Sequence, residues 1–184
     1  MAVLADHWIK QTSRERAMIE PFAPSRVRAG RISFGASCYG YDFRLADEFK
    51  VPEFQSVKSL DPKKMDRVPF RDCKARSCLI PANSFILARS LEYFRIPRDV
   101  LVICQGKSTY ARCGIIVNVT PLEPEWEGFV TISLINGSPR PVRVYAGEGI
   151  AQAIFLRAES ECATSYKDRK GKYQAQKSIQ LARV

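Results

Sequence analysis

Three stretches of this 184-residue chain gather side chains whose types and spacing could do chemistry. The first is Gly106-Lys107-Ser108-Thr109-Tyr110-Ala111-Arg112-Cys113-Gly114. An ammonium, two hydroxyls and a guanidinium close together in a loop can hold phosphate oxygens, with backbone N–H groups helping and the arginine supplying a planar fork. Read alone, the segment serves equally well as a polar turn. The second, Asn118-Val119-Thr120-Pro121-Leu122-Glu123-Pro124-Glu125-Trp126-Glu127-Gly128, sets three carboxylates around a tryptophan and two prolines. A carboxylate beside a phosphate loop can activate water or bind a sugar hydroxyl, although Glu125 and Glu127 read equally as solvated loop charges. The third, Tyr166-Lys167-Asp168-Arg169-Lys170-Gly171-Lys172-Tyr173-Gln174-Ala175-Gln176, carries cations and tyrosines on a polar, Gly-containing stretch. Such a segment suits closure over a polyphosphate.

Other chemistries fall away. A zinc-dependent nucleobase deaminase needs His-x-Glu and Pro-Cys-x-x-Cys so that the metal can acidify water. The one histidine, His7, is followed by Trp8 and Ile9, and no Cys-x-x-Cys occurs, so the reading contains no zinc. A lone histidine near the terminus also makes a poor general base for a serine or cysteine triad; it reads as a surface residue at a helix start. The six cysteines (Cys38, Cys73, Cys78, Cys104, Cys113, Cys162) read as reduced thiols in a chain long enough to fold without disulfides. No Gly-x-Gly-x-x-Gly and no Walker loop is present, which argues against Rossmann and P-loop folds. No apolar run approaches the roughly 20 residues of a membrane span, and charge interrupts the start too early for a secretory signal. A soluble cytoplasmic protein without a membrane partner is the default. The formal charge of +10 suits an anionic partner, but without a zinc finger or RNP-like motif charge alone does not make a nucleic-acid binder.

The elements that must position these residues read as mainly β. Asp6 ahead of Trp8, Ile9, Met18 and Ile19 predicts an N-capped amphipathic helix ended by Pro21 and Pro24. Gly35 and Gly40 break the stretch Ile32 to Leu45 into strand and turn, and residues 56–72, with Pro62 and Pro69, read as a loop. From residue 79 onward short strands are expected at Ser84–Arg89, Val100–Gln105, Ile115–Thr120, Phe129–Ile135, Val142–Tyr145 and Ile150–Leu156. Turn residues at roughly ten-residue spacing are the pattern of a β-sandwich or barrel.

Residues 106–128 resemble the signature of bacterial dCTP deaminases, in the dUTPase superfamily. So do Ile19-Glu20-Pro21-Phe22, Cys38-Tyr39-Gly40-Tyr41-Asp42, Ile80 to Phe85, Glu92-Tyr93-Phe94-Arg95-Ile96-Pro97-Arg98 and the tail Ser165-Tyr166 through Gln176. The resemblance runs from about Trp8 to Gln176. It implies a single domain over 1–184: a distorted β-barrel or jelly-roll of the dUTPase type with a short N-terminal helix. It further implies a homotrimer with active sites at subunit interfaces, residues 166–184 closing over the site. The family reaction hydrolyses the 4-amino group of dCTP to give dUTP and ammonia, with Mg2+ on the triphosphate. By position, Lys107, Ser108 and Thr109 belong to the phosphate-side loop, and Ser108 and Arg112 lie beside the base. Glu123 matches an acidic position near the sugar, one that activates water in the superfamily's triphosphatases. Tyr166, Lys172 and Gln176 match the closing tail.

One position departs. Family deaminases continue past Trp-Glu-Gly with Val-Thr-Leu-Glu-Phe-Ser-Asn, whereas this strand reads Val130-Thr131-Ile132-Ser133-Leu134-Ile135-Asn136. Gly128 and Asn136 anchor the register without a gap, so Ser133 stands where the resemblance expects the glutamate that relays protons from water to the leaving amine. Leu134 and Ile135 stand where it expects an aromatic and a small polar residue. A serine hydroxyl has no comparable basicity, and losing a general acid–base group costs about 10²–10⁴-fold. Three readings follow: a deaminase relaying protons through another group; a diphosphatase for dCTP, dUTP or a modified pyrimidine nucleotide, using Glu123 to release a monophosphate and pyrophosphate; and a silent nucleotide-binding or regulatory trimer.

Overall fold

The computed structural model describes residues 2–183. In chain order, β1 (Ala2–Val3) leads into α1 (Asp6–Arg16) and β2 (Ile19–Glu20), followed by β3 (Gly35–Ser37) and the long β4 (Gly40–Pro52). A 3-10 turn over Pro62–Arg67 interrupts the loop before β5 (Phe70–Lys74), β6 (Ser77–Ile80), β7 (Ser84–Arg95) and β8 (Val100–Gly106). Then come the one-turn α2 (Ser108–Ala111), β9 (Ile115–Asn118), β10 (Glu127–Asn136), β11 (Val142–Tyr145) and β12 (Gly149–Arg157). The main sheet runs β1-β12-β4-β7-β10-β9, with β8 added to β12, β2 to β7, and β3 and β5 to β4; β6 and β11 form a separate pair. The mainly β expectation holds.

Period-two burial builds the core. Along β10 alternate residues Val130, Ile132 and Leu134 are buried while Thr131, Ser133 and Ile135 stay half-exposed. Facing side chains Ile86, Ala88, Phe94, Phe43, Leu45, Ala151, Ala153 and Phe155 complete the interior. Leu134 therefore points into the core, and of the two changed neighbours only Ile135 shares the outer face with Ser133. This alternation is the expected behaviour of a strand with one face packed and one face free.

Several local expectations are corrected, among them the loop over 56–72, which holds the 3-10 turn and the start of β5. The helix N-cap is Ala5, without a side-chain cap bond; Asp6 is the first helical residue and pairs with Lys10 at 2.5 Å. The helix ends at Ala17, whose φ of 49° is the left-handed termination common at helix C-termini, so Met18 and Ile19 lie beyond it. The strand expected to stop at Arg89 runs on to Arg95. It does so because Glu92, fully buried, is met by Arg44: the Arg44 N–H donates at 2.8 Å and its Nε at 2.7 Å. Burial raises the Glu92 carboxyl above its ordinary value while Arg44 opposes the shift. Satisfied in this way, a charged residue persists in a strand interior.

All six cysteines are free. Burial pushes the Cys78 thiol up to about 11 and Cys104 to about 12, so neither is a ready thiolate near neutrality. His7 is exposed on α1.

Candidate functional site

The turn after β9 and the tail enclose one cleft of about 450 Å³. Leu122 anchors the turn by exchanging backbone hydrogen bonds with Val102 at 2.9 and 3.0 Å. The chain then reverses with Trp126 N–H donating to the Glu123 carbonyl at 3.0 Å and Glu125 left-handed at φ 59°. Trp126 is buried, and its indole N–H donates to the Tyr173 carbonyl at 2.9 Å. That reversal leaves Glu123 half-buried on the rim.

The tail is fixed over this floor by backbone bonds. Tyr166 N–H donates to the Pro124 carbonyl at 3.0 Å, Ala175 N–H to Glu127 at 3.0 Å, and Phe129 N–H to Gln176 at 3.1 Å. The Gln176 amide donates to the Phe129 carbonyl and, at 3.3 Å, to Thr131 Oγ1. Glu123, Thr131, Tyr166, Lys172 and Gln176 all line the cleft with Trp126 and Val130 as its apolar wall. The structure thus brings together Glu123 and the three predicted tail residues. Arg169 closes an ion pair onto Glu123, and the Lys172 ammonium donates to the carbonyl of Arg183. An acidic group, two cations, a tyrosine, an amide and an aromatic wall can accommodate a polar anionic ligand carrying a ring.

The other predicted residues are elsewhere. Lys107 precedes α2, and its ammonium lies 2.6 Å from Asp42 Oδ2 and 3.3 Å from Ser33 Oγ. Asp42 is buried and also pairs with Arg26 at 3.1 Å. Gly149 permits this approach, because a Cβ there would strike the Ser33 carbonyl. Ser108 and Arg112 are exposed, with Arg112 Nη1 donating to the Ser108 carbonyl at 3.0 Å. Tyr110 anchors α2 from beneath: it is buried, and its hydroxyl accepts the Tyr145 N–H at 3.2 Å. Burial pushes that phenol up to about 12. Thr109 lines a second, basic cleft of about 730 Å³ with Arg26, Arg28, Arg31, Tyr145 and Glu148. Within one chain, α2 and the Glu123 cleft do not share a cavity.

Ser133 sits opposite Asn118 on β9 and Leu87 on β7. It lies two positions from Thr131 on the same strand face, roughly 7 Å along the strand from the cleft floor. Arg169 stands among the tail cations and Thr131 in the strand of Ser133, but the sequence singles out neither as a site residue. The period-two pattern could have flagged Thr131 as sharing the face of Ser133; nothing local signals that Arg169 would reach Glu123.

A family model described as dCTP deaminase-like matches residues 3–158. The chain belongs to the dCTP deaminase-like family. It is 58% identical over 186 residues to the dCTP deaminase of Granulibacter bethesdensis and 56% identical over 188 residues to that of Pseudomonas putida, each match covering 100% of both chains. Its fold is similar to a crystal structure of 2'-deoxycytidine 5'-triphosphate deaminase from Agrobacterium tumefaciens. The TM-score is 0.62 at 17% identity, covering 85% of this chain and 48% of that one. Family membership agrees with the resemblance carried by residues 106–128. No helix among the described residues is long and apolar enough to cross a membrane.

Proposed function

We propose that the chain is a cytoplasmic deoxynucleoside triphosphate hydrolase of the dCTP deaminase type, converting dCTP and water to dUTP and ammonia. The observation that carries this reading is the cleft joining Glu123, Tyr166, Lys172 and Gln176 in a chain similar over its whole length to dCTP deaminases. The tail cations face the triphosphate, whose magnesium enters with the nucleotide as part of the substrate. Glu123 meets the sugar, and the outer face of β10 meets the base. Gln176 is held on the Phe129 carbonyl before the substrate arrives, whereas Arg169 must leave Glu123 and Lys172 the Arg183 carbonyl to meet the phosphates.

The site is completed by a second copy. Ser108 and Thr109 of one subunit contact the phosphates, joined by Lys107 once its ammonium leaves Asp42 and Ser33, and Ser108 and Arg112 reach the base bound in the neighbour's cleft. The separation of α2 from the Glu123 cleft within one chain supports a homotrimer with interface sites, a closed symmetric arrangement. Hydrolysis adds water to C4 of cytosine and expels the amino group, so a proton must leave the water and reach the nitrogen. Ser133 cannot act as base near neutrality, and Asn118 opposite it can orient water but carries no basicity. The relay then runs through ordered water and Glu123.

One observation favours a second reading. The carboxylate lining the cleft is Glu123, beside Lys172 and Arg169, while Ser133 faces Asn118. Water activated by Glu123 would attack phosphorus, giving a nucleoside monophosphate and pyrophosphate; positioning and cations supply most of the catalysis of such a step. Purified protein with magnesium and each of dCTP, dUTP, dATP, dGTP and dTTP, its products resolved by chromatography, separates the cases. dUTP and ammonia support deamination, monophosphate and pyrophosphate support the second reading, and tight binding without product makes the chain a silent or regulatory nucleotide binder.

A further inference from the structure

Arg98 follows Pro97 in the turn between β7 and β8, and its guanidinium serves five oxygens from two separate segments. Nη1 donates to Glu125 Oε2 at 2.6 Å. Nη2 lies 3.0 Å from Asp168 Oδ2 and donates to the carbonyls of Cys162 at 3.3 Å and Ala163 at 3.4 Å. Nε stands 3.6 Å from Glu161 Oε2. Glu125 belongs to the turn that carries Glu123. The other four belong to the segment from which the tail departs.

Asp168 is itself part of a closed turn. Ser165 N–H donates to its Oδ2 at 3.0 Å, and its own N–H donates to Ser165 Oγ at 3.1 Å. Ser165 is buried, but most residues from 158 to 164 are exposed, so apolar burial does little to hold the tail's root. An isolated surface ion pair contributes little, whereas a network around one ordered guanidinium can contribute substantially. The planar fork reaches several acceptors at once, which a lysine ammonium cannot reproduce.

We infer that Arg98 is a positioning residue: it ties the root of the tail to the Glu123 turn and so sets the pose of Tyr166, Lys172 and Gln176 over the cleft without touching the nucleotide. The inference rests on the reading of that cleft as the nucleotide site. A loosened root leaves the chemical groups intact but lowers the fraction of molecules with the tail in place, and apparent affinity falls by that fraction.

The test uses the full-length protein with Arg98→Gln, Arg98→Lys and, as control, Arg157→Gln, which removes a surface pair with Asp99 (3.1 Å). Tail opening is read without nucleotide as the rate of trypsin cleavage at Lys167, Arg169, Lys170 and Lys172; substrate handling is read as KM and kcat for dCTP. Cleavage in the opened state tracks its population, and Arg98→Gln is expected to raise it about tenfold or more. Arg98→Lys should show a smaller rise and the control none. The KM should rise about tenfold with kcat within about threefold, the signature of lost positioning rather than lost chemistry. Unchanged tail cleavage in Arg98→Gln, or a fall in kcat at constant KM, would overturn the inference. Should Arg98→Gln not fold, Arg98→Lys decides by the same two readouts. If the unaltered protein takes up no dCTP, the nucleotide reading fails on its own, and the cleavage rates still decide whether Arg98 holds the tail.

Discussion

Gly171 lies directly against the ring of Tyr166: a Cβ on Gly171 would collide with ring carbons Cε1, Cζ and Cδ1. The Gly171 N–H donates to the Tyr166 carbonyl and the Tyr166 hydroxyl accepts the Tyr173 N–H, both at 3.0 Å. The tail is therefore folded around one aromatic ring. Gly171→Ala is expected to displace Tyr166, with an overpacking cost of about 1–3 kcal/mol falling on the tail rather than on the sheet. Nucleotide titration should show weakened dCTP binding while the far-ultraviolet circular dichroism spectrum stays unchanged.

Replacing Ser133 by glutamate places a carboxylate opposite Asn118, on the face shared with Thr131. Recovery of a general acid–base group is worth about 10²–10⁴-fold, so Ser133→Glu should accelerate ammonia release from dCTP by that order. An unchanged rate would mean that the proton relay does not pass this position.

Glu123→Gln removes the carboxylate from the cleft and frees Arg169. If water is activated there, turnover should fall about 10²–10⁴-fold while equilibrium binding of dCTP changes little. Isothermal titration beside product analysis separates the two effects, and a variant with normal turnover rules Glu123 out as the base.

Asp168 carries a pH signature. Its carboxyl is held below the ordinary 3.8 first by the Ser165 N–H and then by Arg98; Glu125 and Glu161 face the same guanidinium. A carboxyl lowered in the folded state contributes stability above its unfolded value and loses it as pH falls through the folded value. The root of the tail should accordingly loosen below about pH 4, read as a change in Trp126 emission when its bond to the Tyr173 carbonyl breaks. In Asp168→Asn that acid step should be missing.

Much of the fold was legible because strands with one packed face write their period into the sequence. Val130 to Leu134 alternates apolar and polar residues, and the expected strand Phe129–Ile135 ends within two residues of β10 on either side. β7 extends six residues past the expected Arg89, and the buried Glu92 in that extension finds its partner only in Arg44, 48 residues earlier. Only part of β4 shows in the pattern, because its 13 residues mix Asp42, Arg44 and Glu48 with apolar neighbours, most of them buried. The tail residues were legible as a group, since Tyr166, Lys172 and Gln176 share one segment. Their partners were not: Arg169 meets Glu123 across 46 residues, and Arg98 meets Asp168 across 70, separations that no local pattern encodes.

The separation of α2 from the Glu123 cleft bears on how damage is inherited. If each site draws α2 from one subunit and the tail from another, a copy broken at Ser108 and a copy broken at Lys172 are each inert alone. Assembled together at random in equal amounts, roughly a quarter of the sites receive an intact half from each parent. Two defective alleles in one cell would then restore part of the activity that neither supplies by itself.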